Sequence, residues 1–292
     1  VLLSVVLITH NEEANLARTL QSVQPLVADG NGEIIVVDSH STDRTVEIAK
    51  SYGAKVFIED WKGFAAQKNS AIDKAQGEWI LSLDADEEVE PSLATEIATT
   101  LSRWKEVDAV VRLRGCTPAD AYYGSAREQF PAVDFSSYYD GFNLRRKNFF
   151  LGRWIKHGGY WPDPKLRLFR RANGRFPARP VHESAEVMVR RSAPLQHGAL
   201  LHHSYPTISD YIEHMNRYSS LGAEMALAKG PLRFPVLDIF FRPILTFLYN
   251  YIFRLGFLDG HEGFLLHVNH AIYVSWKYAK AWELEQRKSR VD

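Results

Sequence analysis

Four short apolar runs, each followed by a polar stop and separated by helical stretches, constrain this chain more than any other feature. Leu2-Leu-Ser-Val-Val-Leu-Ile8 stops at Thr9-His-Asn-Glu-Glu13, where Asn11 is placed to cap a helix carrying Leu16, Leu20 and Val23. Glu33-Ile-Ile-Val-Val-Asp38 turns through Ser39 and Thr45 into a helix ending near Lys50, and Ala54-Lys-Val-Phe-Ile58 follows. Gly63 to Ala75 reads as a helix with Gln67 and Lys68 toward the polar ends and Ala71 and Ile72 inward. Gly77 breaks that pattern, and Ile80, Leu81 and Leu83 run into Asp84 and Asp86. Such alternation with short loops predicts an α/β class with a parallel sheet and right-handed crossovers. In an open sheet of that kind ligands bind outside the carboxyl ends of the strands, which is where these polar stops collect.

Asp84 and Asp86 bring two carboxylates to that edge. Residues i and i+2 share a side only while the strand stays extended, so one carboxylate is expected near a sugar or ribose and the other on a metal. Hard oxygen donors suit Mg²⁺ or Mn²⁺, ions that usually also bind substrate phosphates. Taken by itself the same pair also fits a plain polar turn.

The chain has 292 residues, 46% of them apolar, enough for a large core. Lys and Arg number 35 and Asp and Glu 35, a balance that argues against general nucleic-acid binding. The single cysteine, Cys116, rules out an intramolecular disulfide and a cysteine-based zinc site and fits a reducing cytoplasm. Val1 in place of Met fits a trimmed start, and nothing resembles a cleavable signal peptide. Arg242, Asn250, Arg254 and Asp259 interrupt the most apolar stretch, so no run is expected to span a bilayer.

Further along, Ala109-Val-Val-Arg-Leu113 suggests another strand. From Arg145 to Arg191 basic residues dominate, a pattern open between a solvated face, a site for a phosphorylated or carboxylated acceptor, and an anionic membrane. Within it Pro164 to Arg170 reads as a strand with Leu166 and Leu168 on one face and Lys165 and Arg167 on the other. Ser209 to Ala228 reads as a helix with Ile212, Met215, Leu221 and Met225 on one side, and Pro231 stops it. Phe234 to Lys280 is rich in Phe, Leu, Ile and Tyr with scattered arginines, as suits helices that pack on the first domain or lie in a membrane interface.

Thr9-His-Asn-Glu12, Val36-Val-Asp38-Ser-x-Ser-Thr-Asp43, Gln67-Lys-Asn-x-Ala71 and Leu83-Asp-Ala-Asp86 together resemble the nucleotide-sugar-binding motifs of the inverting GT-A glycosyltransferases of family 2. The resemblance implies a Rossmann-like donor domain with a helical C-terminal extension. It places a GT-A domain over residues 1–205, with the donor site in 1–115 and an acceptor and catalytic region in 116–205, and an extension over 206–292. It further implies that Thr9 and Glu12 lie beside ribose and base and that Asp38 accepts from the uracil imide. Lys68 would sit near base or diphosphate, Asp84 on ribose or sugar, and Asp86 on a divalent metal, Mg²⁺ or Mn²⁺.

Val181-His-Glu183 follows the pattern of the lipopolysaccharide-core branch, which makes Glu183 the candidate base and His182 a candidate metal ligand. Lys165, Arg167, Arg170 and His203 are candidates for acceptor binding. Gly256-Phe-Leu-Asp-Gly260, Gly263-Phe264 and Tyr278-Ala-Lys280 resemble the tail of lipooligosaccharide β-1,4-glucosyltransferases. The activity implied is transfer of a hexose, glucose from UDP-glucose, to an inner-core heptose. The partners implied are a UDP-sugar and a lipid-linked glycan, met by a peripheral protein on the cytoplasmic face of the bacterial inner membrane, with no nucleic acid. Rival readings are transfer from another UDP-sugar to a polyprenyl phosphate, peptide or other glycan, and a non-catalytic sugar-nucleotide-binding module.

Overall fold

A computed structural model describes residues 1–113, 139–177, 186–187 and 191–288. They divide into two compact units, the first drawn from Val1–Arg145, Pro164–Ala178 and Glu183–Leu200, the second from Arg146–Asp163 and Leu201–Asp292. The α/β class read from the sequence is the class observed. The first unit alternates β1 (Leu3–Thr9), α1 (Leu16–Val27), β2 (Gly32–Asp38), α2 (Thr45–Ser51), β3 (Lys55–Ile58), α3 (Phe64–Lys74) and β4 (Trp79–Ser82). The short β5 (Glu87–Val89), the helix α4 (Pro91–Leu113) and β6 (Gly141–Leu144) come next. Strands β7 (Arg146–Phe150) and β8 (Arg153–Trp154) belong to the second unit, and β9 (Lys165–Arg170), β10 (Gly174–Arg175), β11 (Glu186–Val187) and β12 (Ser192–Pro194) return to the first.

Seven strands form one sheet in the order β12-β6-β9-β4-β1-β2-β3. β1, β2, β3 and β4 pair in parallel, while β9 runs antiparallel to both β4 and β6. Alternation along each strand sorts side chains to two faces. Val5, Leu7, Ile34, Val36 and Leu81 pack with α1 and α4, and Val6, Ile35, Val37 and Ile80 pack with Ala71 and Ile72 of α3. Burial on both faces explains why these strands read as continuous apolar runs. Gly77 lets the chain enter β4 tightly, since a Cβ there would stand 2.6 Å from the Ser4 backbone nitrogen.

Two local readings are corrected. Ala109 to Leu113 is the end of α4, not a strand, because Leu93, Ile97, Leu101, Trp104, Val107 and Val111 continue one buried helical face. In β9 the pairing with β6 passes from Phe142↔Leu168 to Asn143↔Leu166, so Arg167 is the extra residue of a bulge. Leu166 and Leu168 therefore join different cores instead of sharing a face.

The second unit contains a small sheet of β13 (Leu200–Tyr205), β7 and β8, and the helices α5 (Ile208–Ala228), α6 (Pro235–Phe247) and α7 (Gly260–Lys288). Thr207 and Asp210 close a capping box at the start of α5. The buried face of α5 is Tyr211, Ser219, Gly222 and Ala223, while Ile212, grouped by sequence with Met215, Leu221 and Met225 on one side, is exposed. Pro243 inside α6 cannot donate to the Ile239 carbonyl one turn back, and Ser275 Oγ of α7 donates to that carbonyl at 3.0 Å instead. The helix runs on through a π turn at Leu248–Phe253, so Pro235–Phe253 is 19 residues long and apolar enough, by length and composition, to cross a membrane. This corrects the expectation that charges cut the stretch too short. Asp238 and Arg242 stand four apart and neutralise each other in an ion pair.

Candidate active site

The parallel register of β1 and β2 sets Thr9 opposite Asp38 at the carboxyl edge of the sheet. Thr9 Oγ1 donates to Asp38 Oδ2 at 2.8 Å, and Ser41 donates its backbone N–H to Oδ1 at 2.8 Å and its hydroxyl to Oδ2. Asp38 is thereby fully buried and pins the loop after β2 to the end of β1. Asn11 does not cap α1. Its side chain accepts from the Thr42 backbone N–H at 2.8 Å, in a left-handed conformation that Asn tolerates well, and so joins the loops after β1 and β2. Gln67 of α3 donates to Ser39 Oγ at 3.2 Å, leaving its buried carbonyl oxygen without a partner among the described residues.

Around Asp84 two cations and two carboxylates interlock. Lys68 Nζ donates to Asp84 Oδ1 at 2.8 Å, and the Arg167 guanidinium contacts Asp84 Oδ2 and Glu87 Oε1, the latter at 2.8 Å. Glu87 also accepts from the Asp84 backbone N–H at 3.1 Å. Glu87 is fully buried and Arg167 and Lys68 nearly so. Burial alone would favour a neutral Arg167, but Asp84 and Glu87 outweigh it and hold the guanidinium charged well above its usual range. Thr19 of α1 donates to the Ala85 carbonyl at 2.6 Å and fixes the turn between the two aspartates.

Glu12 adds negative potential here. Burial pushes its carboxyl up, the Asn15 amide draws part of that back, and repulsion from Asp86, Asp43 and Asp84 raises it further. A site that crowds Glu12, Asp84 and Asp86 in this way has the hard-oxygen character that a divalent cation takes. Among the described residues no set of three or more His, Cys, Asp or Glu side chains forms a ready metal cage. Carboxylates gathered in this way suit an ion of the Mg²⁺ type, which one or two of them would hold and substrate oxygens would complete.

The sequence model of Glycosyl transferase family 2 matches residues 4–173, more than half of the chain. The chain belongs to glycosyl transferase family 2. It is 27% identical over 300 residues to the lipopolysaccharide core biosynthesis glycosyltransferase LpsC of Rhizobium meliloti, spanning 99% of this chain and 94% of that protein. It is 45% identical over 95 residues to an uncharacterized glycosyltransferase of Rickettsia typhi, 32% of this chain and 31% of that protein. The match thus spans about a third of the length of that rickettsial relative. Among solved structures, Staphylococcus aureus TarS 1–349 in complex with UDP-GlcNAc aligns with a TM-score of 0.44 at 14% identity, over 98% of this chain and 92% of that one.

Of the residues singled out from sequence, the fold gathers Thr9, Glu12, Asp38, Lys68, Asp84 and Asp86 along the carboxyl ends of β1, β2 and β4. Arg167, expected to face an acceptor, is instead committed to Asp84 and Glu87 by the bulge. Arg170 pairs with Trp79 at the opposite end of β4, where it lies 4.9 Å over the Trp104 ring near Asp140 and Glu78, so it is not part of this edge. Lys165, half-buried, pairs with Leu144 at the near end of β9. In the second unit His203 stacks on Phe149 at 5.0 Å. There a cavity of about 260 Å³ is lined by Asn148, Tyr160, Asp163, His202 and Ser204. His182 and Glu183 lie outside the described residues. Sequence reasoning missed Glu87, whose only signal was a glutamate directly after Asp86, and it missed the structural duty of Arg167.

Proposed function

We propose that this chain transfers a hexose from a UDP-sugar to a lipid-linked glycan with inversion at the anomeric carbon. The observation that carries the reading is the convergence of Thr9–Asp38, Lys68–Asp84–Arg167 and the Glu12–Asp86 carboxylates on one sheet edge. Asp38 uses three acceptor positions internally, and a carboxylate has about four. The fourth suits a uracil imide N–H once the loop after β2 opens, with Thr9 and Glu12 beside base and ribose. Lys68 and Arg167 hold Asp84 rigid so that it presents to the sugar in one orientation.

With both Asp84 oxygens engaged by cations, Asp86 would hold the Mg²⁺ or Mn²⁺, and His182 would be a further ligand. When bound, such an ion would offset the charge that grows on the departing UDP oxygen. Glu183 acts as base. It takes the proton of the acceptor hydroxyl as that oxygen bonds to the anomeric carbon and the bond to UDP breaks on the opposite face. The similarity to the lipopolysaccharide core biosynthesis glycosyltransferase LpsC along nearly the whole chain supports an acceptor in the lipopolysaccharide core. An inner-core heptose as that acceptor and glucose as the sugar follow from the resemblance of the C-terminal segment to lipooligosaccharide glucosyltransferases. Lys165 and His203 would meet the acceptor. Its lipid anchor places the reaction at the cytoplasmic face of a bacterial inner membrane, with the second unit in peripheral contact. The test is calorimetry with UDP-glucose and Mn²⁺. Asp86→Ala should lose metal-dependent binding, and binding equal to wild type in that variant and in Asp38→Ala would sink the reading.

A further inference from the structure

Helices α5, α6 and α7 and the link between the first two line an open cavity of about 660 Å³. Its lining holds four cations, Lys229, Arg233, Arg242 and Lys277, against one carboxylate, Asp238. That carboxylate is already paired with Arg242. Lys229, Arg233 and Lys277 have no carboxylate partner among the described residues. The Lys277 stem lies on Gly222, where a Cβ would sit 3.3 Å from it, and its ammonium stands 5.2 Å over the Tyr278 ring. Arg242 approaches the same ring at 5.1 Å. Burial first, and then the charges of Lys229 and Arg242 close by, lower the Lys277 ammonium from its usual value.

Helix α6, which lends Asp238 and Arg242 to this lining, also carries exposed apolar side chains. Phe241 and Leu245 follow Asp238 and Arg242 at helical spacing and are 50% and 63% exposed, and Val236, Leu237, Phe240 and Ile244 of the same helix are exposed as well. An uncovered surface of this size on a soluble chain marks a contact site. A second copy of the chain suits it poorly, because a two-fold contact would bring like surplus charges together. Exposed aromatic and aliphatic side chains beside unpaired lysine and arginine are the complement of a bilayer with phosphate head groups.

We propose that the α5–α6–α7 pocket binds the phosphate of an anionic phospholipid while the apolar side chains of α6 enter the acyl boundary beside it. This deepens the membrane contact proposed above and rests on none of the transfer chemistry. The full-length chain is co-sedimented with vesicles of phosphatidylcholine alone and of phosphatidylcholine mixed with phosphatidylglycerol. The mixed vesicles should bind more tightly, with the difference shrinking at high salt. Each cation near an anionic surface contributes about fivefold, so Lys229→Gln/Arg233→Gln/Lys277→Gln should lose on the order of a hundredfold toward mixed vesicles only. Phe241→Ser/Leu245→Ser should weaken binding to both. All the substituted side chains except Lys277 are exposed, and circular dichroism checks the fold.

If the triple variant keeps the wild-type preference, the pocket assignment is overturned while peripheral contact stands. Glycerol phosphate binding as tightly as vesicles would identify a soluble phosphorylated ligand and overturn the lipid source. A concentration-dependent dimer that binds no vesicles would show a second copy on α6 and overturn both. UDP-glucose binding, followed in parallel by thermal shift, reports on the transferase reading separately.

Discussion

Replacing Arg167 by Met keeps the length of the side chain but removes the cation that joins Asp84 to Glu87. Glu87 is fully buried and would lose the guanidinium at 2.8 Å while keeping the Asp84 backbone N–H at 3.1 Å. At an effective dielectric of about 20, a charge pair 3–4 Å apart is worth roughly 4–6 kcal/mol before desolvation. Breaking such a buried pair from one side costs about 3–5 kcal/mol, since the stranded charge loses its partner and cannot regain water. Urea unfolding followed by circular dichroism and by the fluorescence of buried Trp79 and Trp104 should show that loss in the first unit. Its thermal midpoint should fall by about 2–4 °C for each kcal/mol. Arg167→Met/Glu87→Leu removes one charge of each sign and leaves Lys68 on Asp84 at 2.8 Å, so it should return to within about 1 kcal/mol of wild type. If Arg167→Met alone stays within 1 kcal/mol, or if the double variant is no better than the single one, the interlocked cluster is not what holds this edge.

Three further outcomes follow from particular side chains. Glu183→Gln should bind UDP-glucose as wild type does and lose transfer by about 10²–10⁴-fold, as expected for removal of a general base, and normal turnover would exclude the assignment. His267, 1% exposed and with neither ring nitrogen hydrogen-bonded among the described residues, is held down to about 4 by burial and by His270, against a smaller opposing pull from Asp259. Its unfolded form takes a proton below about pH 6.5, so stability is fully present above that pH and declines as pH falls toward 4. The second unit should lose about 2–3 kcal/mol over this window, and His267→Met should flatten the slope; an unchanged slope would clear His267 of responsibility. Glu59, brought down to about 2 chiefly by Lys74, then Ser70 and Lys62, adds stability that is present above the ordinary glutamate value and lost as pH falls toward 2. Lys74→Met should move that acid limb upward, as read by tryptophan fluorescence against pH.

The strand-and-helix order of the first unit was legible because a two-sided parallel sheet needs near-continuous apolar strands, and β1, β2 and β4 carry them. The same runs told where Thr9, Asp38, Asp84 and Asp86 collect, since each closes a strand at the same edge. Side-chain partnership was not legible. Asn11 suits a helix cap by type, but its actual partner, Thr42, lies on another loop that only the β1–β2 pairing brings near. Arg170 and Arg167 look alike in a basic strand, yet antiparallel pairing sends one to the far end of β4 and a bulge turns the other onto Asp84. In α4 the segment from Ala109 to Leu113 is β-branched and short, and helical continuation was decided by the buried face laid down by Leu93 to Val107.

By itself the sequence determined the α/β class, the polar edge and the acids and lysine that gather on it, because those depend on periodicity and on the residue type closing each strand. Tertiary structure alone decided which charges neutralise one another and which remain unpaired, from Arg167 between Asp84 and Glu87 to the surplus cations around Lys277. The physical reason is that an ion pair depends on a separation of a few ångströms between residues far apart in the chain, and a local pattern carries no such distance.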